Sequence, residues 1–385
     1  MPLPTEVVGS LPRPKVLQDT LVAYDEGRVD RETLMREQDK AARDSVERMA
    51  ATGEMYITDG EQRNSSFATY PLTDTLGGTG LLDTMRGDGH CIITFEDGHK
   101  RQLPGLVRGP FRYKTYAHEN FKSSLPYTLG TSAKLKQAVI APSLLFLTYP
   151  PDSEIDGYPR TAFVKDLVDE CEKDIRGCFT AGAARVSIDF TEGRLASRGG
   201  DRGGAEAGSE LLRTFISLIN SVLERFTAEE RTNIGLHTCP GGDCDSTHSA
   251  DVPYVGLLGT MFNINAGYFL IQLSSEADKE EVYREIGKRI RGDAHGVKQV
   301  AFIGVTNPLD PRVETPEEIC EQLVNASRYI PKDQLGATDD CGFSPFSIDA
   351  KPKHGGDPDF ARDVAFRKIA NRIKGVALAS RELGI

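Results

Sequence analysis

The chain has 385 residues, 39% of them hydrophobic and 27% charged, the proportions of a folded globular protein and not of a disordered or fibrous one. Asp and Glu number 57 against 46 Lys and Arg, a net charge of -11, which opposes attraction to nucleic-acid phosphates and anionic lipid and removes both as partners. No apolar run approaches the roughly 18 residues of a spanning helix, and the first 14 residues lack the apolar core of a signal peptide. The expected compartment is therefore the cytoplasm, where the seven scattered cysteines are thiols.

In chain order, eight strand-like apolar runs recur at residues 6–9, 55–60, 137–142, 185–190, 233–239, 268–273, 299–305 and 334–340. Amphipathic stretches separate them, the alternation of a parallel β/α fold. The clearest spans 31–51, where Leu34, Ala41, Ala42, Val46 and Met49 form an apolar stripe behind an Asp30 N-cap. Further helices are expected over 162–181, 205–226, 278–291, 316–328 and 359–383. Eight strand-helix units are the number that closes a (β/α)8 barrel.

The stretch between the second and third runs is too long for a loop. Within it, residues 91–95 and 100–103 flank Glu96-Asp97-Gly98-His99, the pattern of a β-hairpin. The expected architecture is one α/β domain over 1–385, a TIM barrel with an insertion at about 64–136 whose hairpin stands on the rim that carries the chemistry. A Gly-rich, charged loop is expected at 199–208.

Barrel active sites lie at the carboxyl ends of the strands. There the sequence places Ser10, Asp59-Gly60-Glu61, Ser143, Asp189, His237-Thr238-Cys239, Gln272, Asn307 and Asp339-Asp340-Cys341. His237 and Cys239 are two apart on a strand, so their side chains point to the same side. With Cys341 they make one imidazole and two thiolates, a soft set that suits Zn2+ better than Mg2+ or Ca2+ and leaves a fourth position open. Cys244 and His248 are competing ligands by spacing, whereas Cys91, Cys171, Cys178 and Cys320 fall on predicted element faces where packing is the expectation.

Several segments in order along the chain carry a family likeness: Val8-Gly9-Ser10-Leu11-Pro12-Arg13-Pro14, Asp59-Gly60-Glu61-Gln62-Arg63-Asn64, Ser187-Ile188-Asp189, His237-Thr238-Cys239 and Asp340-Cys341-Gly342. Together they resemble the catalytic barrel of cobalamin-independent methionine synthase, of which this looks like a single-barrel relative; porphyrinogen decarboxylases share the architecture without the thiolate set. The resemblance implies a methyltransferase that uses zinc to hold homocysteine as thiolate, with a methyl or alkyl donor as second substrate. It implies His237, Cys239 and Cys341 as ligands, Glu61 and Asp189 as catalytic and substrate-binding acids that hold the ammonium group, and Ser10 near the carboxylate. Two positions depart. The family's glutamate ligand falls on Gln272, and its proton-donating histidine falls on Leu309, which cannot transfer a proton.

The same pattern is similar to epoxyalkane:coenzyme M transferases, whose sulfonated thiol calls for cations, with Arg13, Arg63, Arg194 and Arg312 as rim candidates. A zinc-bearing barrel without catalysis is the third expectation. The aromatic stretches 111–116 and 143–152 are candidate walls of the electrophile pocket.

Overall fold

In the computed structural model, the described residues are 1–64, 92–197, 204–243, 246–343 and 357–385, without the side chains of 204–208. Cys91 and Cys244 lie outside them.

The centre is a six-stranded, wholly parallel sheet. Its spatial order is Leu335–Asp339, Val300–Thr306, Tyr268–Ile271, Ile234–Thr238, Val186–Asp189, Gln137–Ile140. These strands are buried along almost their whole length, which is why they read as continuous apolar runs and not as alternating ones. Helices follow them: Arg160–Thr180, Gly204–Leu223, Lys279–Arg289, Pro316–Ala326 and the C-terminal Pro358–Glu382. Arg31–Ala51 forms as its stripe requires, with the Asp30 side chain accepting from the Thr33 N–H. Of the Gly-rich loop expected at 199–208, residues 204–208 are helical and 199–203 lie outside the described residues. No helix of the described residues is long and apolar enough to cross a membrane.

The first two runs depart from expectation. Residues 6–9 form no strand; one parallel bridge, Thr5 to Ala337, attaches the N-terminal segment to the edge of the sheet. The second run shortens to Tyr56–Ile57, paired in parallel with Lys134–Leu135 just before the sheet's other edge. Among the described residues no hydrogen-bond ladder joins these two segments into a closed barrel. The chain itself explains the gap. Pro4 has no N–H to give, Gly9 has a φ of 149°, and the Gly9 carbonyl is met by the Thr58 hydroxyl at 2.6 Å in place of a backbone N–H. Leu11 N–H to the Gly60 carbonyl at 3.1 Å is the next link.

Buried ion pairs tie the same seam together. Glu6 accepts from Lys136 at 2.8 Å and from Arg185, and Arg372 of the C-terminal helix reaches Glu54 at 2.7 Å and Asp339. The hairpin forms as Ile92–Thr94 against Lys100–Gln102. It docks on the loop after Ile234–Thr238, where the Glu96 N–H bonds the Thr247 carbonyl at 2.9 Å and His99 lies 3.2 Å from Asp243. The hairpin thus packs on the loop that follows Cys239.

Candidate metal and substrate site

His237 is the fourth residue of Ile234–Thr238, and Cys239 follows the strand's last residue. Cys341 follows Leu335–Asp339, two strands beyond Tyr268–Ile271. The ligand atoms of the three lie within 4.8 Å of one another, and the two sulfurs are 3.4 Å apart. Two sulfurs each about 2.3 Å from a tetrahedral zinc stand about 3.7 Å apart, so the spacing is close to what one ion requires.

The imidazole is oriented for such a role. His237 Nδ1 is 3.1 Å from the Leu270 carbonyl, which leaves Nε2 buried with no partner. A backbone carbonyl on one ring nitrogen and a free second nitrogen is the usual outer-shell arrangement of a ligating histidine. Cys341 donates to Cys239 at 3.4 Å. The hydrogen bond from Cys341, and then the charge on His237, hold Cys239 well below the usual thiol range against the effect of burial, while the same contact with Cys239 drives Cys341 well above it. A cation at this point would take the place of that proton.

Two small spaces flank the sulfurs, and both share Cys239, Gly242 and Cys341. One, of about 20 Å3, is lined by Ser10, Glu61, Asp189, Thr191 and His237. The other, of about 10 Å3, is lined by Gln272, Ser275, Asn307, Leu309 and Asp340. Each holds about one water, so the described loops are drawn closely over the site.

On the first side the acids gather. Asp189 ends Val186–Asp189 in register with His237. Burial pushes it up to about 6, although His237 opposes the shift. Glu61 is raised to about 8 by burial and by the charges of Asp189 and Asp59. Its backbone is in the left-handed region with φ 57°, a conformation that costs a non-glycine residue about 1–3 kcal/mol and clusters at functional sites. Asp59 stabilises it by accepting the Glu61 N–H at 2.9 Å, and Ser124 in turn donates to Asp59 at 2.8 Å. Ser10 closes the pocket against Gly342, where any Cβ would stand 2.0 Å from the Ser10 hydroxyl. The pocket therefore presents two carboxyls and a hydroxyl a short way from the sulfurs, an arrangement suited to an ammonium group.

On the second side the side chains are committed to each other. Gln272 Oε1 accepts from Arg194 at 2.8 Å, and Gln272 Nε2 donates to Ser275 at 2.5 Å. Glu276 also pairs with Arg194, at 2.7 Å. Asp340 accepts from the N–H groups of Leu273, Ser274 and Ser275 at 2.9, 2.6 and 2.8 Å. Leu309 lines this space.

The rim arginines are largely occupied. Arg63 pairs with Asp39 and not with Glu61, Arg312 with Glu318 at 2.9 Å, and Arg194 is buried over the Tyr254 ring. Arg13 is buried with the Glu61 charge as its neighbour and donates to the Asn64 carbonyl. The aromatic stretches do not line either space: Phe111 and Tyr149 pack on Phe163 of Arg160–Thr180, with centroids 5.4 and 5.0 Å apart. His248 packs edge-on to Phe95. Cys171, Cys178 and Cys320 are buried, as expected for packing.

Sequence reasoning missed Thr191 and Glu192. Glu192 is buried, accepts from Ser143, and has a second oxygen without a partner; burial pushes it up to about 8. Its only signal in the chain is position, three residues past Asp189.

No protein-family model matches the chain. Over its full length it is similar to proteins named methionine synthase. That of Sulfolobus acidocaldarius is 23% identical over 386 residues, covering 99% of this chain and 93% of the relative. That of Sulfurisphaera tokodaii is 23% identical over 387 residues, covering 99% and 94%. Among solved structures, the B12-independent methionine synthase of Shewanella sp. W3-18-1, in complex with selenomethionine, superposes with a TM-score of 0.69 at 17% identity over 100% of this chain and 99% of that one. A putative B12-independent enzyme from Listeria monocytogenes gives 0.63 at 20% identity, covering 97% and 98%. The six-stranded parallel α/β fold is thus that of the methionine synthases.

Proposed function

We propose that the protein is a zinc-dependent methyltransferase that passes a methyl group to the thiol of homocysteine, a step of methionine synthesis. The observation that carries the reading is the cluster of buried His237 and Cys239 with half-buried Cys341, opening onto Glu61 and Asp189. The fold that goes with it is a single (β/α)8 barrel over 1–385 with an insertion at about 64–136. The Thr5–Ala337 bridge and the Tyr56–Lys134 pairing support this, since they bring the outermost segments of the sheet toward each other.

When bound, zinc supplies deprotonation: a free thiol with a pKa of about 8.5 is mostly protonated at neutral pH, and coordination removes the proton. The chain's residues do the rest. Glu61 and Asp189 orient the amino acid through its ammonium group, and Ser10 faces the same pocket. The donor, a methylated folate or a simpler methyl compound, approaches the sulfurs from the side of Leu309 and Asn307. In the transfer the thiolate sulfur forms a bond to the methyl carbon as the donor's bond to that carbon breaks, the bonding pair leaving with the donor.

The test is metal analysis with a turnover assay. The purified protein is expected to carry one zinc per chain and to form methionine from homocysteine with a methylated folate or, as a donor free of pocket requirements, methyl iodide. Cys341→Ala is expected to lose both metal and product. Stoichiometric zinc in Cys341→Ala, or zinc-loaded protein that yields no product from any thiol and donor pair, refutes the reading; the second result would identify a barrel that binds without catalysing.

A further inference from the structure

Beyond the three ligands, Gln272 stands where the resemblance puts a fourth, and its hydrogen bonds argue against that role. An amide can ligate only through its carbonyl oxygen, and Gln272 Oε1 already accepts from Arg194 at 2.8 Å. Rotation of the amide to free that oxygen would break the donation from Nε2 to Ser275 at 2.5 Å as well. Ser275 is fixed in turn by Asp340, which accepts both its N–H and its hydroxyl at 2.8 Å.

Arg194 is equally constrained. It is 1% exposed, donates to the carbonyls of Val252 and Ala250 at 2.9 and 3.0 Å, and lies over the Tyr254 ring at 4.6 Å. Its remaining bond, at 2.7 Å, is to Glu276. A buried guanidinium with each nitrogen hydrogen-bonded is costly to disturb.

We propose that Arg194 and Ser275 are positioning residues that hold Gln272 off the metal. Among the described residues the ion is then bound by three protein atoms, His237 Nε2 and the sulfurs of Cys239 and Cys341, and the fourth position is kept for the incoming thiol. This rests on the zinc reading above. It adds that the thiol enters without displacing any protein ligand.

The experiment measures metal affinity and cobalt spectra in the full-length protein. Chelator-stripped protein is titrated with zinc in competition with a chromophoric chelator. Gln272→Ala is expected to leave the zinc dissociation constant within threefold of wild type; a weakening of tenfold or more overturns the proposal. In Gln272→Glu the new carboxylate is expected to stay on Arg194 with affinity again within threefold. In Gln272→Glu with Arg194→Met it is expected to swing to the ion, tightening zinc at least tenfold. The Co2+ form of that double variant should also need at least tenfold more homocysteine to develop its sulfur-to-cobalt charge-transfer band, a shift that a merely structural role for Arg194 would not produce. An unchanged band and affinity in a folded double variant contradict the role of Arg194, and if that variant does not fold, Gln272→Ala remains decisive. Cys341→Ala separates the two levels. If it keeps its zinc, the metal site itself is misplaced and both readings fall; if it loses zinc while Gln272→Ala also weakens tenfold, only the present one falls.

Discussion

Glu61 concentrates the cost of the site in one residue: a left-handed backbone, burial, and two neighbouring carboxyls. Such an acid is held ready for a cation that offsets the repulsion on arrival. Replacing it with the neutral isostere removes one charge-assisted contact, about 1.5–3 kcal/mol. Glu61→Gln is therefore expected to raise KM for homocysteine tenfold to a hundredfold, while zinc content and KM for 4-mercaptobutyrate, which lacks the ammonium, stay as in wild type. Steady-state kinetics with both thiols check this, and an equal rise for both would contradict ammonium binding. At this scale the His237-x-Cys239 pair was legible, because residues two apart on a strand share a side. The state of Gln272 was not, since its chain position marks it as a ligand and only Arg194, distant in sequence, shows it to be engaged.

The elements bring the site together through one missing side chain. Asp340 lies past the end of Leu335–Asp339, yet its carboxylate reaches the N–H groups of residues 273–275 beyond the neighbouring strand Val300–Thr306. It crosses at Gly304, where a Cβ would stand 2.0 Å from Asp340 Oδ1 and 3.0 Å from the Leu273 nitrogen, beside the register shift between Gly304 and Thr306. Gly304→Ala is expected to cost about 1–3 kcal/mol by overpacking and to weaken zinc binding by moving the loop next to Cys341. Urea midpoints with a zinc titration test it, and an unchanged midpoint would show that the crossing is not tight. Elements such as Pro316–Ala326 were readable to within two residues because Thr315 and Glu318 form a capping box in the local sequence. The first strand was not, because composition marks 6–9 as extended, whereas the one bridge to the sheet lies before it at Thr5 and its end, Gly9, turns to a φ of 149°.

Across the whole molecule, an acidic chain gathers carboxyls where they are hard to ionise. Glu192, Asp189 and Asp340 are raised to about 8, 6 and 6. A carboxyl with a folded pKa above its unfolded value binds its proton more tightly in the native state. Its contribution is present below the unfolded pKa of 4.5 and is lost as pH rises toward the folded value of about 8 in Glu192. The slope in that window is about 1.4 kcal/mol per pH unit for one such group. Metal-free Glu192→Gln, which can keep an acceptor for Ser143, is expected to gain stability relative to wild type as pH rises from 5.5 to 8. Urea unfolding at the two pH values measures it, and an equal difference at both would show that Glu192 does not titrate in that window.

By itself the sequence determined the strand and helix periods, the hairpin, the shared face of His237 and Cys239, and the family likeness. These depend on interactions within a few residues or on motifs read in order. Only the tertiary structure decided that Cys341 meets Cys239 at 3.4 Å across 102 positions, that Arg194 turns inward to Gln272, and that Glu61 and Asp189 share one pocket. Long side chains take their partners from whichever elements pack beside them, and that packing is set by the whole chain at once.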